Sequence, residues 1–123
     1  MAATILICDD QETLRELARG ALAGNGYTIV EASNGDESLE LARSLQPDVI
    51  VLDVVLPGRS GLDVLEAVRR DPVLAATQVI VCTAAHTFDP AVAEHIGADR
   101  YLPKPYSPTE LASVVSELLE ARP

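Results

Sequence analysis

The sequence predicts an α/β fold in which a parallel five-stranded sheet is covered by helices on both faces. Short apolar runs alternate five times with segments of helical spacing, which is the pattern of strand–helix units joined by right-handed crossovers. Several of these runs are apolar throughout, as strands buried on both faces are. The core is expected to be aliphatic, because 48% of the residues are hydrophobic and only 3% are aromatic.

Five segments have the composition of buried strands. The first, third and fourth are unbroken apolar runs, the second contains three consecutive β-branched residues, and the fifth is a short stretch before a proline. In chain order the predicted strands cover residues 5–8, 27–31, 49–52, 78–82 and 99–102.

Apolar side chains recur at helical spacing after each of the first three strands and after the last. Those of the second and last helices are expected to point inward. In chain order the recurring residues are Leu14, Leu17, Ala18, Ala21 and Leu22; Leu39, Ala42 and Leu45; Leu62, Leu65 and Val68; and Leu111, Val114, Val115, Leu118 and Leu119.

Local signals mark where the helices begin and end. Gly24-Asn25-Gly26 ends the first helix because Gly and Asn tolerate the left-handed conformation, and Pro47 breaks the second. Ser60-Gly61 opens the third. Asp89-Pro90 is an N-cap with proline at the first helical position of the fourth helix, which ends at Gly97. A capping-box pattern at residues 107–110 opens the last.

Charge and composition exclude several functions. The net charge is −10 and only nine residues are Lys or Arg, so direct nucleic-acid binding is not expected. The chain has no apolar stretch of ~20 residues and no basic-then-apolar leader, so we expect a cytoplasmic protein without membrane insertion. Cys8 and Cys82 lie inside strands and are expected to be buried, reduced thiols.

Polar side chains follow four of the strands. Asp9-Asp10 follows the first, Asp53 the third and Thr83 the fourth, and Lys104, the only lysine, comes just after the fifth. The carboxyl ends of parallel strands meet at one edge of a sheet, where open α/β folds place their sites. Carboxylates, a hydroxyl and an ammonium at one edge suit a Mg²⁺-assisted phosphoryl transfer onto a carboxylate.

These residues stand in a pattern that resembles the receiver domain of bacterial response regulators, over the whole chain. The matching motifs are Asp9-Asp10, Asp53 with Leu56-Pro57 and Gly61, Thr83-Ala84, and Tyr101-Leu102-Pro103-Lys104-Pro105. The resemblance implies a flavodoxin-like doubly wound (βα)5 fold with strand order 2-1-3-4-5. It also implies a single receiver domain over residues 1–123, of the stand-alone chemotaxis-regulator type, without an output domain in this chain.

The resemblance assigns a role to each site residue. Asp53 is the phosphoacceptor, and Mg²⁺ (or Mn²⁺) is held by Asp10, Asp53 and the backbone carbonyl of Val55, with Asp9 acting through a metal-bound water. The phosphoryl oxygens would contact Thr83, Lys104 and the backbone N–H groups of Val55 and Ala84. Thr83 and Tyr101 would form the switch, and the Lys104–Pro105 peptide bond would be cis.

The partners that follow from this assignment are proteins. A histidine kinase or phosphotransfer protein would supply the phosphoryl group, and a downstream effector would bind the face formed by the fourth helix, fifth strand and fifth helix. The chain would be a monomer or weak dimer and not an enzyme, beyond self-phosphorylation from phosphodonors and slow self-dephosphorylation. Self-dephosphorylation is expected to be slow because of Val55 and Ala85. In this family the residues at these positions flank the path of the attacking water, and neither of these side chains can hydrogen-bond it.

Two alternatives remain open at this stage. The chain could be a receiver-like interaction module that is never phosphorylated, although the complete set of acids, threonine and lysine argues against it. It could also be a phosphatase with a nucleophilic aspartate, but the haloacid-dehalogenase type has a second acid two residues on, where this chain has Val55.

Overall fold

The computed structural model describes residues 2–84 and 88–121. Its strands are β1 (Thr4–Cys8), β2 (Thr28–Ala32), β3 (Val49–Asp53), β4 (Gln78–Thr83) and β5 (Arg100–Pro103). Its α-helices are α1 (Glu12–Leu22), α2 (Gly35–Leu45), α3 (Gly61–Arg70), α4 (Pro90–Ile96) and α5 (Pro108–Glu120), and a short 3-10 helix (Pro72–Leu74) precedes β4. No helix in the described ranges is long and apolar enough to cross a membrane.

The strands form one parallel sheet in the order β2-β1-β3-β4-β5, which confirms the predicted topology. The ladders extend one residue beyond the apolar runs of β3 and β4, because Asp53 pairs with Cys82 and Thr83 pairs with Pro103. Two of the predicted site residues are therefore the last residues of strands, and the sheet itself fixes their backbones.

The core lies on both faces of the sheet. One face packs against α2, α3 and α4, and the other packs against α1 and α5. Successive side chains of a strand pack on opposite faces of the sheet, as the two-residue period of a strand requires. On β3, Ile50 and Leu52 belong to the first face, whereas Val49 and Val51 belong to the second.

The two cysteines lie on opposite faces of the sheet. Cys8 pairs with Leu52 and packs on the first face, and Cys82 pairs with Asp53 and packs on the second. Both are free and buried, and burial raises the pKa of each thiol to about 12. The prediction of buried, unpaired thiols is confirmed, since β3 separates the two strands and the side chains lie on opposite faces.

Most of the predicted helix ends are confirmed. The side chain of Asp89 accepts a hydrogen bond from the N–H of Ala91, and Ser107 and Glu110 form the capping box that opens α5. Gly24 and Gly26 have positive φ after α1. α2 ends at Leu45, with Gln46 in the left-handed conformation just before Pro47.

The inward position predicted for Leu45 is wrong. This side chain is 40% exposed, because the buried stripe of α2 runs through Gly35, Ser38, Leu39 and Ala42 and the helix ends before another turn can extend it. Leu17 shares the helical spacing of α1 but is 53% exposed, while Ala18 and Leu22 make the buried contacts. In α5, Leu111, Val115 and Leu118 are buried, and Val114 and Leu119 are partly buried against the same core.

Candidate functional site

Three carboxylates meet at the carboxyl end of the sheet. Asp9, Asp10 and Asp53 each place one oxygen within 4.8 Å of the others. Asp9 and Asp10 follow β1 directly, and Asp53 ends the neighbouring β3, so the parallel pairing of these strands brings the acids together. Asp9 and Asp53 are buried and Asp10 is exposed.

Lys104 bridges two of the acids. Its Nζ lies 2.6 Å from Oδ2 of Asp9 and 2.8 Å from Oδ2 of Asp53, with all three side chains less than 10% exposed. The backbone N–H of Lys104 donates to the carbonyl of Thr83, and the Lys104–Pro105 peptide bond is cis. The only lysine of the chain is thus fixed between the first and third strand ends.

Backbone N–H groups bind the remaining oxygens of the two buried acids. Oδ1 of Asp9 accepts a hydrogen bond from the N–H of Gln11 at 3.0 Å. Oδ1 of Asp53 accepts one from the N–H of Val55, also at 3.0 Å. Each carboxylate is therefore oriented by one main-chain donor and by Lys104.

Asp53 and Lys104 have shifted pKa values. Burial raises the pKa of Asp53 above its ordinary value of 3.8, and the opposing effect of its hydrogen bonds from Lys104 and Val55 is smaller. Burial alone would lower the pKa of Lys104, but its hydrogen bonds to Asp53 and Asp9 together raise it. The ammonium is consequently charged at neutral pH and compensates part of the negative charge around it.

The donor set fits a hard divalent cation. Three carboxylates against one ammonium leave two negative charges at this edge of the sheet. Carboxylates this close repel one another, and oxygen ligands with excess negative charge are those that Mg²⁺ binds. Asp10, which is exposed, and Asp53 are placed to contribute ligand oxygens together.

A cleft of about 600 Å³ opens over the acids. Polar and apolar residues share its lining: Asp10, Gln11, Leu14, Leu17, Asp53, Val55, Thr83, Ala84, Lys104, Pro105, Tyr106 and Pro108. The cleft thus contains most of the predicted site residues. Among the lining residues, Thr83 is buried, whereas Val55 is 62% exposed.

Gly61 allows the chain to turn tightly after β3. Its N–H donates to the carbonyl of Val54 at 2.9 Å. A Cβ atom at this position would lie 2.0 Å from the carbonyl oxygen of Asp53, far inside any van der Waals contact. Only glycine fits here, and the close approach fixes the backbone that carries Asp53.

Tyr101 lies on β5 and stacks on Phe88, with the ring centroids 5.7 Å apart and the rings inclined by 30°. Both rings pack against the core face of α2, α3 and α4. Tyr101 pairs with Val81, two residues before Thr83 on β4. The predicted switch residues therefore lie on adjacent strands, with Phe88 as a partner that the sequence analysis missed.

Two further residues in or beside the site, Tyr106 and Arg15, were also missed by sequence reasoning. Tyr106 lines the cleft, and burial raises its pKa to about 12. Arg15 donates from Nη1 to the backbone carbonyl of Asp9 at 2.8 Å. An arginine six residues after an acidic strand end was the available signal.

Ala85, one of the two residues expected to flank the approach of water, lies outside the described residues.

A model of the response regulator receiver domain family matches residues 5–116. The alkaline phosphatase synthesis transcriptional regulatory protein PhoP of Bacillus subtilis is 36% identical over 116 residues, which cover 94% of this chain and 48% of that protein. The response regulator MprA of Mycobacterium ulcerans is 39% identical over 120 residues, or 97% of this chain and 51% of that protein. The chain spans about half the length of these relatives.

Solved structures agree with the family match. A putative response regulator from Chloroflexus aurantiacus has a TM-score of 0.88 at 33% identity, covering 98% of this chain and 99% of that chain. The chemotaxis protein CheY4 of Vibrio cholerae has a TM-score of 0.87 at 27% identity, covering 96% and 99%. The resemblance inferred from the motifs is confirmed. This chain belongs to the receiver domain family of response regulators, the phosphorylation-dependent switches of two-component signalling.

Proposed function

We propose that this receiver domain accepts a phosphoryl group on Asp53 from a histidine kinase or phosphotransfer protein in the cytoplasm. The observation that supports this most is the bridge from Lys104 to Asp9 and Asp53, beside a third carboxylate. One cation fixed against two buried acids places positive charge where a phosphoryl group on Asp53 would be bound.

The metal in this proposal is Mg²⁺ or Mn²⁺. Asp10 and Asp53 with the backbone carbonyl of Val55 would hold it, and Asp9 would act through a metal-bound water. When bound, the cation supplies the positive charge that lets a phosphate anion approach three carboxylates. Asp10 is exposed at the cleft, where a cation from solvent can reach its carboxylate.

The protein's own groups carry the transfer. A carboxylate oxygen of Asp53 forms the new bond to phosphorus as the bond from phosphorus to the donor's imidazole nitrogen breaks, and the imidazole keeps that electron pair. Lys104, the hydroxyl of Thr83 and the backbone N–H groups of Val55 and Ala84 would then bind the phosphoryl oxygens. The N–H of Val55 already donates to Asp53, at 3.0 Å from Oδ1.

The signal would pass from Thr83 to Tyr101. Thr83 is buried at the end of β4, and β5 beside it carries Tyr101 stacked on Phe88. Movement of Thr83 toward the phosphoryl group would leave a space into which the Tyr101 side chain moves. The movement of Tyr101 would alter the surface formed by α4, β5 and α5. The partner at that surface would be a downstream effector protein, and the chain would act as a monomer or weak dimer without binding nucleic acid itself.

Intact mass spectrometry tests the proposal directly. Incubation with acetyl phosphate and Mg²⁺ should add one phosphoryl group to the wild type, and EDTA should prevent the addition. Asp53→Asn is the matched control, because it keeps the side-chain shape and removes the nucleophile. An equal mass gain in Asp53→Asn would remove Asp53 from the role of phosphoacceptor.

A further inference from the structure

We propose that Arg15 is a positioning residue that holds the Asp9–Asp10 segment in place for Lys104 and the metal. The juxtaposition that carries this inference is the guanidinium of Arg15 between the backbone carbonyl of Asp9 and the carboxylate of Glu31. The inference rests on the proposed function of the acidic site and assigns a role to a residue outside it.

Arg15 connects three elements. It lies on α1, its Nη1 donates to the carbonyl oxygen of Asp9 at 2.8 Å, and its Nε donates to Oε1 of Glu31 on β2 at 3.1 Å. Its side chain is 17% exposed and that of Glu31 is 25% exposed. The planar guanidinium can donate in two directions at once, so the ion pair with Glu31 fixes the nitrogen that binds Asp9.

This contact completes the restraint of Asp9. Its N–H donates to the carbonyl of Ala32 at 3.1 Å, and its carbonyl accepts from Arg15. The carbonyl of Asp9 and the N–H of Asp10 belong to one planar peptide unit. Arg15 therefore sets the direction in which the chain enters Asp10 as well as the position of the carboxylate that Lys104 binds at 2.6 Å.

Arg15 is not among the described residues that line the cleft, which include Asp10, Gln11 and Leu14 of the same segment. A residue in this place contacts neither the metal nor the phosphoryl group. Groups that hydrogen-bond to the metal ligands themselves change metal affinity by about 10- to 100-fold when they are lost, and the effect of Arg15, which binds the backbone of Asp9, is expected at the lower end of that range.

Arg19 provides a matched control within the same helix. Its Nη1 lies 2.6 Å from Oε2 of the same Glu31, its side chain is 53% exposed, and in the described part of the chain it makes no hydrogen bond to Asp9. Arg15→Gln and Arg19→Gln remove the same charge beside Glu31. Only the first removes the contact with Asp9.

The loss of the Arg15 charge and the loss of its positioning contact should change the Mg²⁺ affinity in opposite directions. Loss of a nearby positive charge should strengthen the binding of a divalent cation, because repulsion decreases. Loss of the restraint on Asp9 and Asp10 should weaken it, because the ligand geometry is no longer preset. A weaker affinity in Arg15→Gln, with no such change in Arg19→Gln, is therefore specific to positioning.

The experiment measures two quantities in the wild type, Arg15→Gln, Arg19→Gln and Glu31→Gln. The first is the Mg²⁺ dissociation constant, from backbone amide shifts in an NMR titration. The second is the ammonium NMR signal of Lys104 in metal-free protein, which needs no assignment because the chain has one lysine. We expect Arg15→Gln to bind Mg²⁺ about tenfold more weakly, and to lose the slowly exchanging ammonium signal.

The controls separate the outcomes. Arg19→Gln should keep the ammonium signal and bind Mg²⁺ as well as or better than the wild type, and Glu31→Gln should lie between the two arginine variants. If Arg15→Gln does not fold, the ammonium signal of Lys104 in Glu31→Gln carries the test, because the loss of the Glu31 charge by itself also weakens the binding of a cation. Unchanged signals and affinity in Arg15→Gln, or equal losses in Arg19→Gln, would overturn the inference. A wild type that binds no Mg²⁺ would instead remove the metal from the proposed function, and the ammonium signal would still decide the role of Arg15.

Discussion

The ammonium of Lys104 lies 2.8 Å from Oδ2 of Asp53, and both side chains are 9% exposed. The one lysine of the chain thus pairs with the proposed phosphoacceptor while both side chains are largely buried. Burial of Asp53 is only partly compensated by this contact, because its pKa is still raised. Burial in the site therefore disfavours the charged form of Asp53 relative to its state in water.

Replacing Asp53 should therefore stabilise the protein. A carboxyl group whose pKa is raised on folding holds its proton more tightly in the folded state. Its contribution to the free energy of unfolding is fully present below the ordinary pKa of 3.8 and is lost as pH rises through the folded value. In EDTA, we expect Asp53→Asn to unfold at a higher urea concentration than the wild type at pH 7, and the difference to shrink as pH falls toward 3.8. A variant less stable than the wild type at pH 7 would contradict this.

Gly61 should tolerate no side chain. Gly61→Ala would place a Cβ atom 2.0 Å from the carbonyl oxygen of Asp53, so backbone must shift. We expect the free energy of unfolding to fall by about 2–3 kcal/mol, as measured by urea titration. Gly20→Ala is the control: Gly20 lies in α1 with nothing within 4 Å of the added atom. That change should raise the free energy of unfolding by about 0.5–1 kcal/mol, and similar effects at both sites would refute the argument.

Thr83→Ala should separate phosphorylation from its transmission. The variant keeps Asp53 and Lys104 and should still accept a phosphoryl group, because neither contact of the ion pair involves Thr83. Amide shifts of residues 91–96 and Tyr101 on phosphorylation should be much smaller in the variant than in the wild type. Equal shifts in the two proteins would rule out Thr83 as the coupling group.

The phosphorylated state should decay slowly. Val55 lines the cleft and is 62% exposed, and its apolar side chain cannot hydrogen-bond an attacking water. Well-placed groups that position water or move its proton contribute ~10²-fold or more. The decay of phospho-Asp53, followed by mass spectrometry, should be faster in a Val55→Asn, Ala85→Glu double variant. Decay in the wild type at the same rate or faster would show that reset does not depend on these positions.

The strands and most of the site could be predicted from local patterns in the sequence, whereas the strand order was predicted from the family resemblance. Apolar runs ending in Asp9, Asp53 and Thr83 locate strand ends directly, and parallel pairing brings those ends together. The place of Lys104 at the site could be predicted only after the short fifth strand had been recognised. The prolines on either side of the lysine made that recognition possible.

What the sequence did not predict depends on how helices sit on the sheet. The contact from Arg15 to Asp9 requires a particular rotation of α1, and the exposure of Leu17 follows from the same rotation. The stack of Phe88 on Tyr101 joins a loop to a strand across the α4 connection. Helical spacing shows that a helix has an apolar face, but it does not show which residues at the border of that face are buried against the sheet.

The identity of the phosphorylated residue is the central claim, and chemical trapping tests it most directly. Borohydride reduces an aspartyl phosphate to homoserine, which marks the modified position permanently. After treatment with acetyl phosphate and Mg²⁺, reduction and peptide sequencing by mass spectrometry should find homoserine at position 53. Homoserine at position 9 or 10, or at no position despite a phosphoryl mass gain, would contradict the account.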